Sequence, residues 1–169
     1  MKRIFLAVLL FSGVGLWSAP ALALLDFASC SATAGSVSFG DYDPLAGNHK
    51  DSTGSITFSC TQTLGLLSSR TVSFEVQLDP DSNGSFAPRT MSRGVDTLEY
   101  SVYTDPARTT VWGNRAGGTG TRSGSLSFSG VLNIGVTEKV TFPTYGRMFA
   151  GQFVPAGEYR DTVGVTVLY

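Results

Sequence analysis

The sequence predicts an all-β protein of one domain, folded as an antiparallel sandwich. Apolar residues alternate with polar residues in short runs, and turn-forming residues separate those runs. No stretch after residue 24 has the sustained 3.6-residue period of an amphipathic helix. The chain has 169 residues, which is room for a single domain with a short appendage. Together these observations favour two packed β-sheets.

Residues 1–23 are predicted to be a cleaved export signal. Lys2 and Arg3 precede an unbroken apolar run over residues 4–11, and Ala21 and Ala23 form a small-residue cleavage site. A membrane anchor is the alternative, because residues 4–25 carry no charge and nearly span about 30 Å of hydrocarbon. The glycines, serines and proline in this stretch favour cleavage. We therefore expect an exported chain of residues 24–169 that has no membrane span after cleavage.

Cys30 and Cys60 are predicted to form a disulfide. Export places both cysteines in an oxidising compartment, where the two cysteines of a small domain usually pair. Two buried free thiols are the alternative. With 29 residues between the cysteines, the cross-link would restrict the unfolded chain and stabilise the fold by about 3 to 4 kcal/mol.

The predicted strands follow from apolar side chains spaced two residues apart. The alternating apolar residues are Ile56, Phe58 and Cys60; Val72, Phe74, Val76 and Leu78; Leu98, Tyr100 and Val102; Leu126 and Phe128; Leu132, Ile134, Val136, Val140 and Phe142; and a final strand over residues 159–169. Turn sequences such as Asn83-Gly84 separate these runs, and the glycine-rich residues 113–124 are predicted to form a surface loop.

No catalytic, cofactor or metal site is predicted. His49 lies in a polar loop without the sequence context of a catalytic base. Residues 79–84 resemble the first half of a calcium loop, but Thr90 stands where the bidentate glutamate belongs, so an Asx turn is the better interpretation. A formal net charge of −1 and scattered basic residues argue against nucleic acid as a partner. Aromatic residues such as Trp112 and Tyr100 could form a sugar platform, but core filling and cross-strand packing are the favoured interpretation.

The C-terminal strand is the most informative element. Val163, Val165, Val167 and Tyr169 place a large apolar row on one face of this strand. An immunoglobulin-like sandwich would have a seventh strand beside it, so we expect an open edge and an uncovered groove that a strand from another chain fills. Four or five donated apolar side chains would contribute about 6 to 15 kcal/mol. The alternative is a final strand that is central in a complete sheet.

Several motifs resemble the spore coat protein U domain, which includes the pilin subunits of archaic chaperone-usher pili. They cover residues 30–169, and the spacing of Gly157, Tyr159 and Asp161 is the most specific part. The other matching positions are Cys30, Phe39-Gly40-Asp41-Tyr42, Cys60, Tyr100 and Trp112, and the segments from Arg89 and from Phe142.

This resemblance implies an incomplete immunoglobulin-like fold that a periplasmic chaperone completes by lending a strand. In the assembled fibre, the N-terminal extension of the next subunit replaces the chaperone. The implied groove lies between a first strand around Val37 and Phe39 and the last strand, with Val163, Val165, Val167 and Tyr169 facing it. The implied partners are the chaperone, an outer-membrane usher and sibling pilins, and the implied location is the cell surface or the extracellular space, reached through the periplasm.

One departure from the family concerns donation of a strand. Cleavage after Ala23 leaves residues 24–29 ahead of the first cysteine, which span at most about 20 Å. We therefore expect a non-enzymatic pilus subunit that accepts a strand and ends a fibre, as a tip or terminal subunit does, and that supports adhesion or biofilm formation. The alternatives are a free-standing secreted module that binds carbohydrate or surface polymer, and a structural protein of a spore coat or matrix.

Overall fold

The computed structural model describes residues 27–65, 68–130 and 134–169. The predicted signal at residues 1–23 and the predicted strand residue Leu132 lie outside these ranges. None of the helices in the described ranges is long and apolar enough to cross a bilayer. The elements are β1 (Ala28–Ala34), β2 (Lys50–Gln62), β3 (Arg70–Leu78), β4 (Arg89–Arg93), β5 (Asp96–Tyr103), a 3₁₀ turn (Ala116–Gly118), β6 (Arg122–Phe128), β7 (Thr137–Met148) and β8 (Val165–Leu168).

The strands form two antiparallel sheets that pack face to face. The larger sheet has five strands in the order β1-β2-β7-β5-β4, and the smaller has three in the order β6-β3-β8. Their inner faces carry the buried side chains that the alternation predicts, among them Ile56 and Phe58 on β2 and Phe74 and Val76 on β3. The predicted all-β, immunoglobulin-like antiparallel sandwich is confirmed.

One half of the sandwich is sealed, and we call it the closed half. Cys30 on β1 is the register partner of Cys60 on β2, and the two sulfurs are bonded, which confirms the predicted disulfide. The Phe58 ring packs against Phe74 at 4.4 Å between centroids, so the inner faces of the two sheets meet directly here. The buried apolar residues of this half are Phe58, Cys60, Phe74, Leu126 and Phe128.

Two predicted strand positions are wrong at the other half of the sandwich. The first strand does not run through Val37 and Phe39, because the pairing of β1 with β2 covers only Ala28–Ala34. Residues 35–42 then leave the sheet as an unpaired segment that we call the strap. The last strand covers Val165–Leu168 instead of residues 159–169. Ahead of it the backbone makes only an isolated bridge between Arg160 and Ser92, since no neighbouring strand extends beside it.

The segment before β7 also differs from its prediction. Ile134 and Gly135 form a turn, and the Ile134 side chain is exposed. Gln62, at the end of β2, fixes this turn. Its backbone N–H donates to the Val136 carbonyl, and its carbonyl accepts the Gly135 N–H. The apolar alternation therefore enters the sheet only at β7 itself.

Candidate functional site

The open half of the sandwich contains a groove of about 1110 Å³ between the strap and residues 154–163. The five-stranded sheet supplies most of its floor, because the three-stranded sheet opposite is too narrow to cover that sheet. The floor is mainly apolar and consists of Ile56, Leu78, Met91, Leu98, Tyr100, Val102, Thr144 and Met148.

The strap forms one wall and is attached mainly through side chains. Gly35 donates its backbone N–H to Ser55 at 2.7 Å, and the Ser52 hydroxyl donates to the Ser38 carbonyl at 2.5 Å. The Lys50 ammonium group donates to the Asp41 carbonyl. The strap carbonyls are therefore held without a strand ladder, and the strap presents an extended wall beside the groove.

Glycines on the inner face let the strap approach the sheet. An added Cβ at Gly146 would lie 2.6 Å from Val37 Cγ1 and 2.9 Å from Phe39 Cζ, too close for any larger residue. Phe39 is consequently buried, and its ring meets Tyr100 edge-on at 6.0 Å between centroids. The Val37 and Phe39 side chains thus belong both to the lining of the groove and to the hydrophobic core.

The opposite wall consists of residues 154–163 and the start of β8. The Tyr159 hydroxyl donates to the Pro155 carbonyl at 2.9 Å, which closes the bend of this wall. β8 pairs with β3, and the Thr166 hydroxyl donates to Asp79 Oδ1 at 3.1 Å. Within the described ranges, β8 has no strand ladder along its other edge, so backbone groups on that edge are available to an added strand.

A hydrogen bond between Tyr100 and Asp161 joins floor to wall. The Tyr100 hydroxyl donates to Asp161 Oδ2 at 2.5 Å, and Asp161 Oδ1 accepts the Thr162 backbone N–H at 2.7 Å. Burial, together with the neighbouring Asp161 carboxylate, raises the pKa of Tyr100 above its usual value. The hydroxyl therefore stays protonated and remains a donor at neutral pH.

A buried cation lies beneath this wall. Arg89 on β4 is fully buried, and its guanidinium nitrogens have no hydrogen-bond partner within the described ranges. Burial lowers the pKa of Arg89, while the charges of Asp161, Asp81 and Asp79 and the hydroxyl of Tyr100 act to raise it. The guanidinium also lies 5.5 Å from the centre of the Phe86 ring. The carboxylate charges thus oppose the effect of burial on the Arg89 pKa, and the Phe86 ring lies near the guanidinium.

The structure brings most of the predicted groove residues together. Val37, Phe39, Val163 and Val165 line the groove. Val167 and Tyr169, which were predicted to face it, lie outside the groove. The reason is that β8 runs away from the groove along β3, so Val167 is the register partner of Val76 and the Tyr169 ring lies 5.8 Å from Phe58 in the closed half.

The motif residues that the resemblance singled out also gather at the groove, with one exception. The residues that line it are Gly40, Tyr42, Tyr100, Gly157, Tyr159 and Asp161. Trp112 is instead fully buried in the core, where its indole N–H donates to the Val76 carbonyl at 3.2 Å. Core packing, rather than a sugar platform, is therefore the role of Trp112.

The Tyr42 hydroxyl connects the strap to the loop that follows β7. It donates to the Phe149 carbonyl at 3.1 Å and accepts the Gln152 backbone N–H at 2.8 Å. The Gln152 side chain in turn bonds the backbone of Glu99 on β5. One hydroxyl therefore fixes where the strap ends relative to the five-stranded sheet.

The polar loops considered for chemistry have structural roles. Asp81 accepts backbone N–H groups from Asn83 at 3.0 Å and Ser85 at 2.8 Å, which confirms the Asx turn. Burial acts to raise the pKa of Asp81, but these hydrogen bonds and those from Thr90 outweigh it and lower the pKa. His49 Nδ1 accepts the Ala150 backbone N–H at 3.1 Å. The described ranges contain no cluster of three or more side chains suited to a metal ion.

Thr144 is a polar residue among the groove residues that sequence reasoning missed. It lies on the inner face of β7 and lines the groove, buried to 4% exposure. The inward-facing residues of β7 are Val140, Phe142, Thr144, Gly146 and Met148. The one polar side chain in this row, that of Thr144, is the sequence feature that could have indicated it.

Comparison with known proteins identifies relatives of this chain. The spore coat protein U domain matches residues 17–166. Protein U of Myxococcus xanthus is 32% identical over 145 residues, which cover 80% of this chain and 72% of that protein. A chain in the crystal structure of a chaperone–tip adhesion subunit pre-assembly complex, from the archaic chaperone-usher Csu pili of Acinetobacter baumannii, superposes with a TM-score of 0.50 at 22% identity. That alignment covers 84% of this chain and 40% of the longer one.

Proposed function

Because the chain belongs to the spore coat protein U domain family, we propose that it is a structural subunit of an archaic chaperone-usher pilus, assembled by donor-strand complementation. The observation that carries this proposal is the groove between the strap and β8, with an edge of β8 that has no ladder in the described ranges. Further support comes from the fold, which is shared with a chain of a chaperone–pilus subunit complex.

The groove suits an extended strand with alternating apolar residues. Such a strand would bond its backbone to the free edge of β8 and direct every second side chain onto the floor. Each large side chain buried there contributes about 1.5 to 3 kcal/mol, so four or five contribute about 6 to 15 kcal/mol. This gain is comparable to the whole stability of a typical domain, about 5 to 15 kcal/mol. The chain alone is therefore expected to be marginal, and the complemented chain very stable.

The strand comes first from a periplasmic chaperone and then from a sibling subunit. In this scheme the chain passes through the periplasm with its groove occupied, is handed to an outer-membrane usher and becomes part of a surface fibre that supports adhesion or biofilm formation. Each exchange replaces one alternating strand by another, so the apolar floor is never left in water during assembly.

We further propose a terminal position in the fibre, and the attachment of the N-terminal region supports it. The Phe27 carbonyl accepts the Thr63 backbone N–H at 2.9 Å, and the Phe27 ring lies 6.0 Å from Phe128. From Ala28 onward the chain is already β1 of its own sheet. If cleavage occurs after Ala23, few residues are free to enter another subunit's groove, so this subunit accepts a strand but does not donate one. Sequencing the N-terminus of the exported protein tests that cleavage site.

The experiment for the proposed function is capture by an archaic-type periplasmic chaperone. Val165→Asp places a charge on the groove wall and should abolish co-purification with the chaperone, since an unpaired charge is not tolerated in an apolar interface. Val95→Asp is the matched control, because Val95 is 97% exposed at the β4–β5 turn outside the groove. Both variants should be exported with the disulfide formed.

Two results would contradict the proposal. One is unchanged capture of Val165→Asp. The other is a wild-type chain that accumulates in the periplasm as a folded, protease-resistant monomer without any chaperone. The second result would favour a free-standing secreted protein.

A further inference from the structure

A second cavity, of about 430 Å³, opens between three loops and shares no lining residue with the groove. The loops are residues 84–87 after β3, residues 109–111 after β5 and residues 116–119 in the glycine-rich segment, and we call the cavity the loop pocket. Its volume lies within the range of sites that hold small molecules. Filling the groove therefore requires no residue of the loop pocket.

Hydrogen bonds within the loops hold the walls of the loop pocket in place. Asp81 accepts the Ser85 backbone N–H at 2.8 Å, and Asp105 accepts the Thr110 backbone N–H at 2.8 Å. In the third loop the Thr119 hydroxyl donates to a backbone carbonyl of the same turn at 2.8 Å. Because the chain makes these bonds itself, the pocket is formed before any ligand binds, as most small-molecule sites are.

The Phe86 ring supplies an apolar surface to the loop pocket. The side chain is half-buried, and the fully buried Arg89 guanidinium lies 5.5 Å from the centre of the ring. Gly113 makes room for the ring, because an added Cβ there would lie 2.8 Å from Phe86 Cδ1. Contacts with the rest of the chain thus fix the ring where it borders the pocket.

Hydroxyl and peptide groups supply the polar surface of the loop pocket. The side-chain hydroxyls of Ser85 and Thr110 make no hydrogen bond within the described ranges. Gly117 and Gly118, with φ of 61° and 80°, have no side chains to cover their peptide groups. No charged side chain of the described ranges lines the pocket. The cavity therefore offers hydrogen bonds to a neutral ligand but no ion pair to a charged one.

We propose that the loop pocket binds a neutral pyranose unit of a glycan. A pyranose has an apolar face of C–H groups that packs on an aromatic ring, and a rim of hydroxyls that donate and accept hydrogen bonds. Phe86 suits the first of these features, while Ser85, Thr110 and the glycine peptide groups suit the second. A charged sugar would lose hydration without gaining an ion pair, so the neutral class is favoured. This inference does not depend on strand complementation.

Nuclear magnetic resonance titration of the exported chain, with its disulfide intact, tests this proposal. The probes are the methyl glycosides of glucose, galactose, mannose and N-acetylglucosamine, with that of sialic acid as the charged comparison. At least one neutral probe should bind with a dissociation constant of about 1 mM, the range expected for a ligand of this size. The amide signals that move should be those of residues 84–87, 109–111 and 116–119. The sialic acid probe should bind about tenfold more weakly.

Substitutions of single side chains assign the binding to the loop pocket. Ser85→Ala and Thr110→Val should each weaken binding about three- to tenfold, because the sugar loses a partner while the loop loses no bond of its own. Ser125→Ala removes an exposed hydroxyl on β6 and is the matched control, which should leave the affinity unchanged. Phe86→Leu keeps an apolar side chain without a ring and should weaken binding most. Unfolding followed by Trp112 fluorescence shows whether that variant is folded.

The outcomes separate this proposal from strand complementation. A nine-residue peptide that alternates valine with lysine or serine should leave the dissociation constant of the glycoside unchanged, because the two cavities share no lining residue. A glycoside that binds more weakly when the peptide is present would place the sugar in the groove and overturn the proposal.

Three other results would overturn the role of the loop pocket and leave strand complementation standing. The first is that no neutral probe binds at about 20 mM, well above the expected dissociation constant. The second is tighter binding of the sialic acid probe than of every neutral probe. The third is a neutral probe whose affinity both Ser85→Ala and Thr110→Val leave unchanged.

Discussion

The closed and open halves of the sandwich follow the same sequence pattern but are completed differently. In the closed half, inward rows from both sheets meet, and the Phe58 and Phe74 rings pack at 4.4 Å between centroids. In the open half, the inward residues Leu98 and Met148 face a groove of about 1110 Å³. The difference arises because a sheet of three strands opposes a sheet of five. Alternation therefore dictates which side chains point inward, while the number of opposing strands decides whether a facing sheet or a groove lies over them.

The largest expected change in the free energy of unfolding comes from truncating one buried leucine in each half to alanine. Leu126 is 5% exposed in the closed half, and Leu98 is 4% exposed on the groove floor. Leu126→Ala should lower the free energy of unfolding by about 2 to 5 kcal/mol, with or without a bound strand. Leu98→Ala should have a smaller effect in the lone chain and reach that range only when a strand is bound, because the cavity it creates is otherwise open to water.

Denaturant unfolding of both variants, alone and with a bound alternating peptide, checks this prediction. Equal losses for the two variants in the lone chain would mean that the groove floor is already packed as tightly as the core.

The stabilisation that the disulfide provides should not depend on whether the groove is filled. Cys30→Ser removes a link between residues separated by 30 positions and should lower the free energy of unfolding by about 3 to 4 kcal/mol. Since the link constrains the unfolded chain, the loss should be the same with and without a bound strand. Thermal unfolding of the wild type with and without reductant provides the control, and identical midpoints would contradict the prediction.

A smaller effect is expected from the hydrogen bond that joins the groove floor to its wall. Tyr100→Phe removes the donor to Asp161 and should lower the free energy of unfolding by about 1 to 3 kcal/mol, because a charged acceptor loses a partner. Tyr103→Phe makes the same change on β5 outside the groove and serves as the control. Chemical denaturation of both variants should separate them, and equal values would show that this bond does not hold the wall.

The smallest effect concerns acid sensitivity on the outer face of β3. The hydrogen bond from Arg115, followed by that from Gln77, lowers the pKa of Glu75 from 4.5 to about 2. A lowered pKa means that this contribution to stability is complete above pH 4.5 and is lost as the pH falls from 4.5 through about 2. Glu75→Gln should therefore flatten the stability profile over that interval, modestly because the pair is near solvent. An unchanged profile would contradict the prediction.

The strands predicted correctly are those whose inward residues are large and apolar. Phe58 and Cys60 on β2, Phe74 on β3 and Leu98 on β5 mark their strands because each fills the space between the sheets. The strands that the sequence did not reveal, β1 and β4, lack this signal. β1 has the sequence ASCSATA, and β4 carries a buried arginine, Arg89, in its inward row.

Some residues that line the groove were predicted to lie together, but the shape of the groove was not predicted. Val37, Phe39, Val163 and Val165 were expected to line it and do. The course of the strap was not predictable from alternation, because it depends on a glycine of another strand: Gly146 leaves the space that Val37 and Phe39 occupy. The displacement of Tyr169 from the groove depends on the register of β8 with β3, which is a long-range property.

Amide hydrogen exchange measures most directly whether the groove is an unfilled strand position. In the lone chain, amides of the strap and of residues 159–168 should exchange rapidly, while β2 amides around Cys60 exchange slowly. Binding of an alternating strand should slow exchange along both walls of the groove and leave the β2 amides around Cys60 almost unchanged. Walls that are as protected in the lone chain as β2, with no further protection on adding a strand, would contradict the proposal that another chain completes this sandwich.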